Sequence, residues 1–333
     1  MSNQYDFVAL GDIVIDAFIE LDKDHADVSI DQDTGYKTLM MSFGSKLPYK
    51  EKVVVNAVGN SPNAAVSAHR LGLKSALVTN LGNDKYGNDC LRALRTEGVS
   101  TDFVKVHEGK ATNYHYVLRY GPERTILVKH ENYPYQVPDF GEPPRYLYVS
   151  SIGEHALEHH FEIVDYIKES GTKLVFQPGT FQIKQGVEKL QPVYENTEIF
   201  FCNKEEAQEI LETKEQDVPT LIRKFKDLGP KMPVITDGPK GAYVVDEDNQ
   251  AWHMPMYPDP APPVDRTGAG DSFSSTFTSA IILGKSPAEA LSWGPINSMS
   301  VVQYIGAQKG LLEREQLEKL LNEAPADYKP QKV

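Results

Sequence analysis

Short apolar runs alternate with amphipathic segments along most of the chain, and that alternation admits few folds. Phe7–Leu10, Ser75–Leu81, Arg145–Ser150, Lys173–Phe176, Ile199–Cys202 and Pro233–Thr236 read as strands buried on both faces. Helical periodicity runs between them, near 63–71, 84–97, 156–169, 204–212 and 217–228, with Gly72 and Gly98 placed as helix stops. A βαβα order needs crossover connections, so it predicts an α/β fold: a mostly parallel sheet with helices on both faces. The last third is helical, at about 270–283, 287–304 and 313–323.

Two stretches, about 17–55 and 102–130, break the rhythm with half-polar, strand-like pieces and no helix. In the second, Asn113–Arg119 and Thr125–Lys129 flank the turn Tyr120-Gly121-Pro122-Glu123. We read a large α/β domain over 5–16, 56–101 and 131–323. A small β-sheet lid is inserted as 17–55 and 102–130, and a flexible tail covers 324–333.

Charge narrows the partners. Acidic residues outnumber basic ones 47 to 34, for a net charge of −13 over 333 residues. That balance argues against nucleic-acid and anionic-membrane partners. No run approaches the roughly 20 apolar residues of a membrane span, and the first residues lack a basic region with a cleavage site. With only Cys90 and Cys202 as cysteines, a cytoplasmic protein with buried thiols is expected. Any anionic ligand must then be held by a local device.

Val264-Asp265-Arg266-Thr267-Gly268-Ala269-Gly270-Asp271-Ser272-Phe273 supplies one. Phe273, Phe277, Ala280 and Ile281 follow at helical spacing, so Gly268, Ala269 and Gly270 open a helix that Gly284 closes. Small residues there expose backbone N–H groups at the positive end of the helix dipole. Asp271 sits in the first turn. It reads either as a general base beside that anion hole or as a favourable first-turn acid on a tight loop.

The same residues resemble the C-terminal signature of the PfkB (ribokinase-like) carbohydrate kinases, whose usual run is Asp-Thr-Thr-Gly-Ala-Gly-Asp; Arg266 departs from it. Gly59-Asn60-Ser61-Pro62-Asn63-Ala64-Ala65 resembles the N-terminal signature, with Val58 where a first glycine is common. The segment from Gly11 to Asp16 is similar to the first-strand motif, Asn203-Lys204-Glu205-Glu206 to Asn-x-x-Glu, and Thr236 to Gly241 to the nucleotide loop. Gly121 to Thr125 is similar to the lid turn, and Ile296-Asn297 to the Ala-Asn pair. The likeness spans about residues 5–322.

It implies a ribokinase-like three-layer α/β/α sandwich that moves the γ-phosphate of ATP to a primary alcohol of a small sugar such as ribose or fructose. A nucleoside is the alternative acceptor, and a non-catalytic binding protein a second alternative. It further implies Asp271 with Gly268, Ala269 and Gly270 as catalytic group and anion hole. Asp12, Asp16, Gly59, Asn60, Asn63 and Asp271 would hold the acceptor. Asn203, Thr236, Gly238, Gly241, Gly268, Gly270 and Asn297 would hold the nucleotide. Glu206 would serve Mg2+ through water, and Asp265 and Thr267 would border K+. Edge-to-edge lid pairing would give a homodimer.

Several of these residues carry plainer readings. Asn63 suits an N-cap, Asn203 to Glu206 an ordinary helix opening, and Gly238 and Gly241 a hairpin turn before Ala242–Val245. Gln177-Pro178-Gly179-Thr180 stands where sugar kinases carry Asp-x-Asn. Tyr114, Tyr116, Tyr133 and Tyr135 could stack a base or pack the lid. Gly284-Lys285-Ser286 is no phosphate loop, because it follows a helix and Ser279 stands where the first glycine is needed. His155 to His160, although similar in spacing to a zinc motif, reads as a solvated helix face.

Overall fold

A computed structural model describes residues 4–32, 35–121 and 123–333. The runs read as strands form one sheet because their residues are buried on both sides. Phe7, Val8, Ala9 and Leu10 are each 2% exposed or less, as a strand covered by helices on two faces requires. Alternate side chains serve different layers. Phe7 and Ala9 join a core with Phe273, Phe277 and Trp293, while Val8 and Leu10 join one with Ile163, Leu190 and Phe225. Each such large side chain contributes about 1.5–3 kcal/mol on burial.

Among the described residues the large sheet has ten strands. Phe7–Leu10 lies between Tyr146–Val149 and Ser75–Gly82, both parallel to it. The parallel order continues through Lys173–Phe176 and Thr197–Asn203 to Met232–Thr236. Beyond that, Ala242–Val245, Ala251–Met254 and Gln331–Lys332 extend the edge antiparallel. The three-layer α/β/α architecture is as expected. Helices Thr180–Gln185 and Val187–Glu195 escaped the sequence reading.

The small sheet orders Tyr49–Val58, Val14–Leu21, Tyr114–Tyr120 and Glu123–Leu127. A separate hairpin pairs Ala26–Ile30 with Lys37–Met41. Pro122 of the expected lid turn lies outside the described residues.

Three boundaries differ from expectation. Val14–Leu21 is one continuous strand of the small sheet, so Asp16 belongs to the lid rather than to the large domain. Val104–His107 pairs parallel with Thr79–Gly82 and is part of the large sheet, so the lid begins later than residue 102. The tail is docked: Gln331–Lys332 pairs with Trp252–His253, and the buried Tyr328 donates its hydroxyl to Ser292 O. Among the described residues no helix is long and apolar enough to cross a membrane.

Candidate active site

The sheet chemistry places a cavity at the carboxyl ends of the parallel strands, where open α/β sheets hold ligands. Its floor comes from the ends of Phe7–Leu10 and Thr197–Asn203 and from the loop Arg266–Gly270. Its roof comes from the small sheet, through Asp16, His115, Arg124 and Ile126.

The helix after the loop runs Ala269–Ile282 with Gly268 as N-cap. Gly268 has φ +81, and a Cβ there would lie 2.3 Å from Ala307 Cβ, so only glycine fits. Ala269 N–H reaches Arg266 O at 3.4 Å and Ser272 N–H closes onto Gly268 O. Among the described residues the amides of Gly268, Gly270 and Asp271 have no backbone acceptor. These are the donors a helix start leaves free for an anion.

Asp271 is buried under this turn. Asn60 Nδ2 donates to Oδ1 at 2.7 Å, Asn63 Nδ2 to Oδ2 at 2.9 Å and Gln177 Nε2 to Oδ1 at 3.2 Å. Burial raises its pKa above the usual carboxylate value, and the three amides pull the other way. Gln177 is positioned in turn: Tyr148 donates to its carbonyl, and so does Ser274, which lies one turn beyond Asp271, at 2.8 Å.

Asn63 is not an N-cap. The helix starts earlier, at Asn60, because Gly59 caps it at φ 123. A Cβ on Gly59 would stand 2.7 Å from Asp12 O. The Asn63 carbonyl accepts from Gln308, so its amide is fixed toward Asp271.

Asp12 and Asp16 both line the cavity. Asp12 is bound through both oxygens, by Tyr135 and His130. Asp16 Oδ1 is buried without a hydrogen bond, and so is His115 Nε2. His115 Nδ1 lies 3.4 Å from Asp16 Oδ1. Buried polar atoms are nearly always satisfied in a complete protein, so this pair has the character of a ligand contact.

Asn203 and Glu206 form a reciprocal capping box, Oδ1 accepting from Glu206 N–H and Oε2 from Asn203 N–H. They also line the cavity, with Thr236. Burial foremost, then the neighbouring Asp271 charge, raises the Glu206 pKa.

A family model described as pfkB family carbohydrate kinase matches residues 28–314. The chain belongs to that family. It is a phosphotransferase with the ribokinase fold. An uncharacterized sugar kinase of Archaeoglobus fulgidus is 26% identical over 251 residues, covering 73% of this kinase and 96% of the relative. Arabidopsis thaliana ribokinase, solved with ribose and ATP, superimposes with a TM-score of 0.80 at 20% identity, over 96% of this chain and 99% of that one. A nucleoside kinase of Methanocaldococcus jannaschii does so with 0.75 at 16% identity, over 97% and 100%. Those two show the fold alone.

Not every residue that the resemblance put in the kinase site reaches its cavity. Asn297 is fully buried between helices, its amide donating to Thr276 and its carbonyl accepting from Leu312 N–H; it is absent from the lining. Gly238 and Gly241 make the turn into Ala242–Val245, and a Cβ on Gly241 would collide with Met254 O. Asp265 spends both oxygens on its own loop and on Gly306 N–H; Thr267 lines the cavity. His159 and His160 are buried rather than solvated. The described residues hold no group of three or more metal-binding side chains.

Arg266, the departure from the family run, faces the cavity together with Arg124 of the lid. His115 and His130 were missed as site residues, and Gln177 and Tyr135 stood out only as a departure from Asp-x-Asn and as a ring that could stack a base or pack the lid, not for the contacts they make. No local pattern marks them, since their partners lie far away in sequence.

Proposed function

We propose that this kinase transfers the γ-phosphoryl group of ATP to a primary alcohol of a small neutral sugar such as ribose or fructose. The observation that carries the reading is Asp271, buried and held by three amides beside unbonded helix-start N–H groups. As the acceptor oxygen bonds to the γ-phosphorus, its proton passes to Asp271 and the bond to ADP breaks. The amides of Gly268, Gly270 and Asp271 would meet the equatorial oxygens. Asn203, Thr236, Arg266 and Arg124 line the same cavity, so local positive charge and backbone dipoles would offset a net charge of −13 for a bound polyphosphate.

Magnesium, when bound, neutralises phosphate charge. Glu206 fits a sparse, water-mediated site, because the cap engages only one of its oxygens. Lid closure over the cavity would exclude water, the competing acceptor.

Sugar is favoured over nucleoside by the tyrosines. Tyr114 packs on Tyr86 and Tyr116, Tyr133 on His107, and Tyr135 on His159. None of the four lines the cavity, so none is placed to stack a base. Asp16 Oδ1 and His115 Nε2 instead await partners that a diol supplies. The intact base disfavours a non-catalytic role. ADP formation against a panel of sugars and nucleosides tests this: turnover should be fastest with a neutral sugar, and preference for a nucleoside would reject it.

Potassium should raise kcat if the Asp265–Thr267 loop borders a cation; equal rates in sodium and potassium would remove the ion from the reading. Ile30, Met40, Met41 and Phe43 are exposed on and beside the lid hairpin, apolar surface that a second copy of the chain would cover.

A further inference from the structure

We propose that Tyr135 is a positioning residue for acceptor binding, acting with His130 to hold Asp12 as a pre-oriented second carboxylate beside Asp16. This rests on the sugar-kinase reading above. The segment 128–144 carries the chain from the lid back to strand Tyr146–Val149 without regular structure, and its His130 lines the cavity.

Tyr135 has one proton, and its surroundings decide where that proton goes. The phenol oxygen accepts from Gly153 N–H at 2.9 Å, so the hydroxyl is left to donate to Asp12 Oδ1, at 2.8 Å. Burial foremost, and then the Asp12 charge, raise the phenol pKa, which keeps the proton on Tyr135. The ring is fixed by stacking on His159, with centroids 5.7 Å apart at 24°. His159 in turn contacts Glu162 at 3.1 Å. Gly153 has no side chain because a Cβ would lie 2.8 Å from the phenol oxygen.

The second oxygen of Asp12 meets His130 Nδ1 at 3.1 Å. An ionised carboxylate only accepts, so that nitrogen carries the proton. Asp12 thus has one donor on each oxygen, and its remaining lone pairs are available to the cavity it lines.

Such a carboxylate cannot rotate to follow its ligand. It accepts hydrogen bonds only from an acceptor whose hydroxyls fit that orientation, while Asp16 takes others. The consequence falls on acceptor affinity rather than on the chemical step, because Asp271 is held by a different set of residues: Asn60, Asn63 and Gln177.

Tyr135→Phe removes the single donor and keeps the ring. With the acceptor found to be turned over fastest, its KM should rise about tenfold, the scale of one hydrogen bond to a charged group. The kcat and the KM for ATP should stay within about twofold. In an Asp12→Ala background the same substitution should change acceptor KM by less than about twofold, since the group Tyr135 donates to is gone.

An unchanged acceptor KM would overturn the proposal. So would an equal rise on the Asp12→Ala background, or a parallel loss in kcat. Should Tyr135→Phe fold poorly, His130 gives the second arm: Asn restores a donor near Nδ1 and should largely preserve acceptor KM, whereas Ala should raise it. Equal effects of the two would contradict the account. If the wild-type kinase phosphorylates no acceptor, the functional reading fails first and this inference falls with it. If it phosphorylates a sugar and Tyr135→Phe is silent, only this inference fails.

Discussion

Asp271→Asn should lower kcat by about 10²- to 10⁴-fold, the usual contribution of a positioned general base, while ATP binding measured by calorimetry persists. Asn63 and Gln177 are held through their carbonyls, so an Asn side chain leaves its own amide facing one of these donors, a cost offset by removal of a buried charge. The fold should therefore survive, with a melting temperature no lower than wild type by more than a few degrees.

The pH dependence follows from the direction of the shift. Burial raises the Asp271 pKa above the ordinary carboxylate value. The active, ionised form is then lost as pH falls through that raised value, so wild-type kcat/KM should decline at a higher pH than an exposed aspartate would give. Turnover by Asp271→Asn within a few-fold of wild type would remove Asp271 from the role of base.

Gly268→Ala carries the second large effect. The residue occupies the left-handed region at φ +81, and its Cβ would overlap Ala307. The backbone cost is about 1–2 kcal/mol, and overpacking adds about 1–3 kcal/mol. The strain falls on the turn that aims the free amides, so kcat/KM should drop together with stability. Gly270→Ala is the matched control for stability: a Cβ there meets nothing within 4 Å. That variant should melt like wild type and lose affinity for ATP, because its methyl group would enter the cavity. Equal melting temperatures for wild type and Gly268→Ala would contradict the account of this loop.

What was legible in the sequence was what lies close together in it. The strand Phe7–Leu10 and the helix after Gly268 follow from contiguous residues, and so does the capping box of Asn203 and Glu206. Tyr135 and Asp12 are 123 positions apart, and Gln177 and Asp271 are 94 apart. Only the packed sheet and the lid bring such pairs together. The lid boundary was misplaced because Val14–Leu21 belongs to the small sheet from its first residues, while the buried Val14 and Ile15 read as a continuation of the apolar run before them. Asn63 suited a helix cap by residue type, yet a glycine at φ 123 occupied that position four residues earlier. Asn297 was assigned to the nucleotide by resemblance, but hydrogen bonds within the helical layer satisfy its side chain.

The central claim is most directly tested by incubating the kinase with ATP, magnesium and an equimolar mixture of sugars and nucleosides, then following the products by phosphorus NMR. The account predicts an acceptor-dependent phosphomonoester on a sugar hydroxymethyl group, seen as a triplet in the proton-coupled spectrum, and its loss with Asp271→Asn. A nucleoside monophosphate as the main product, or no new phosphomonoester from any acceptor, would contradict it.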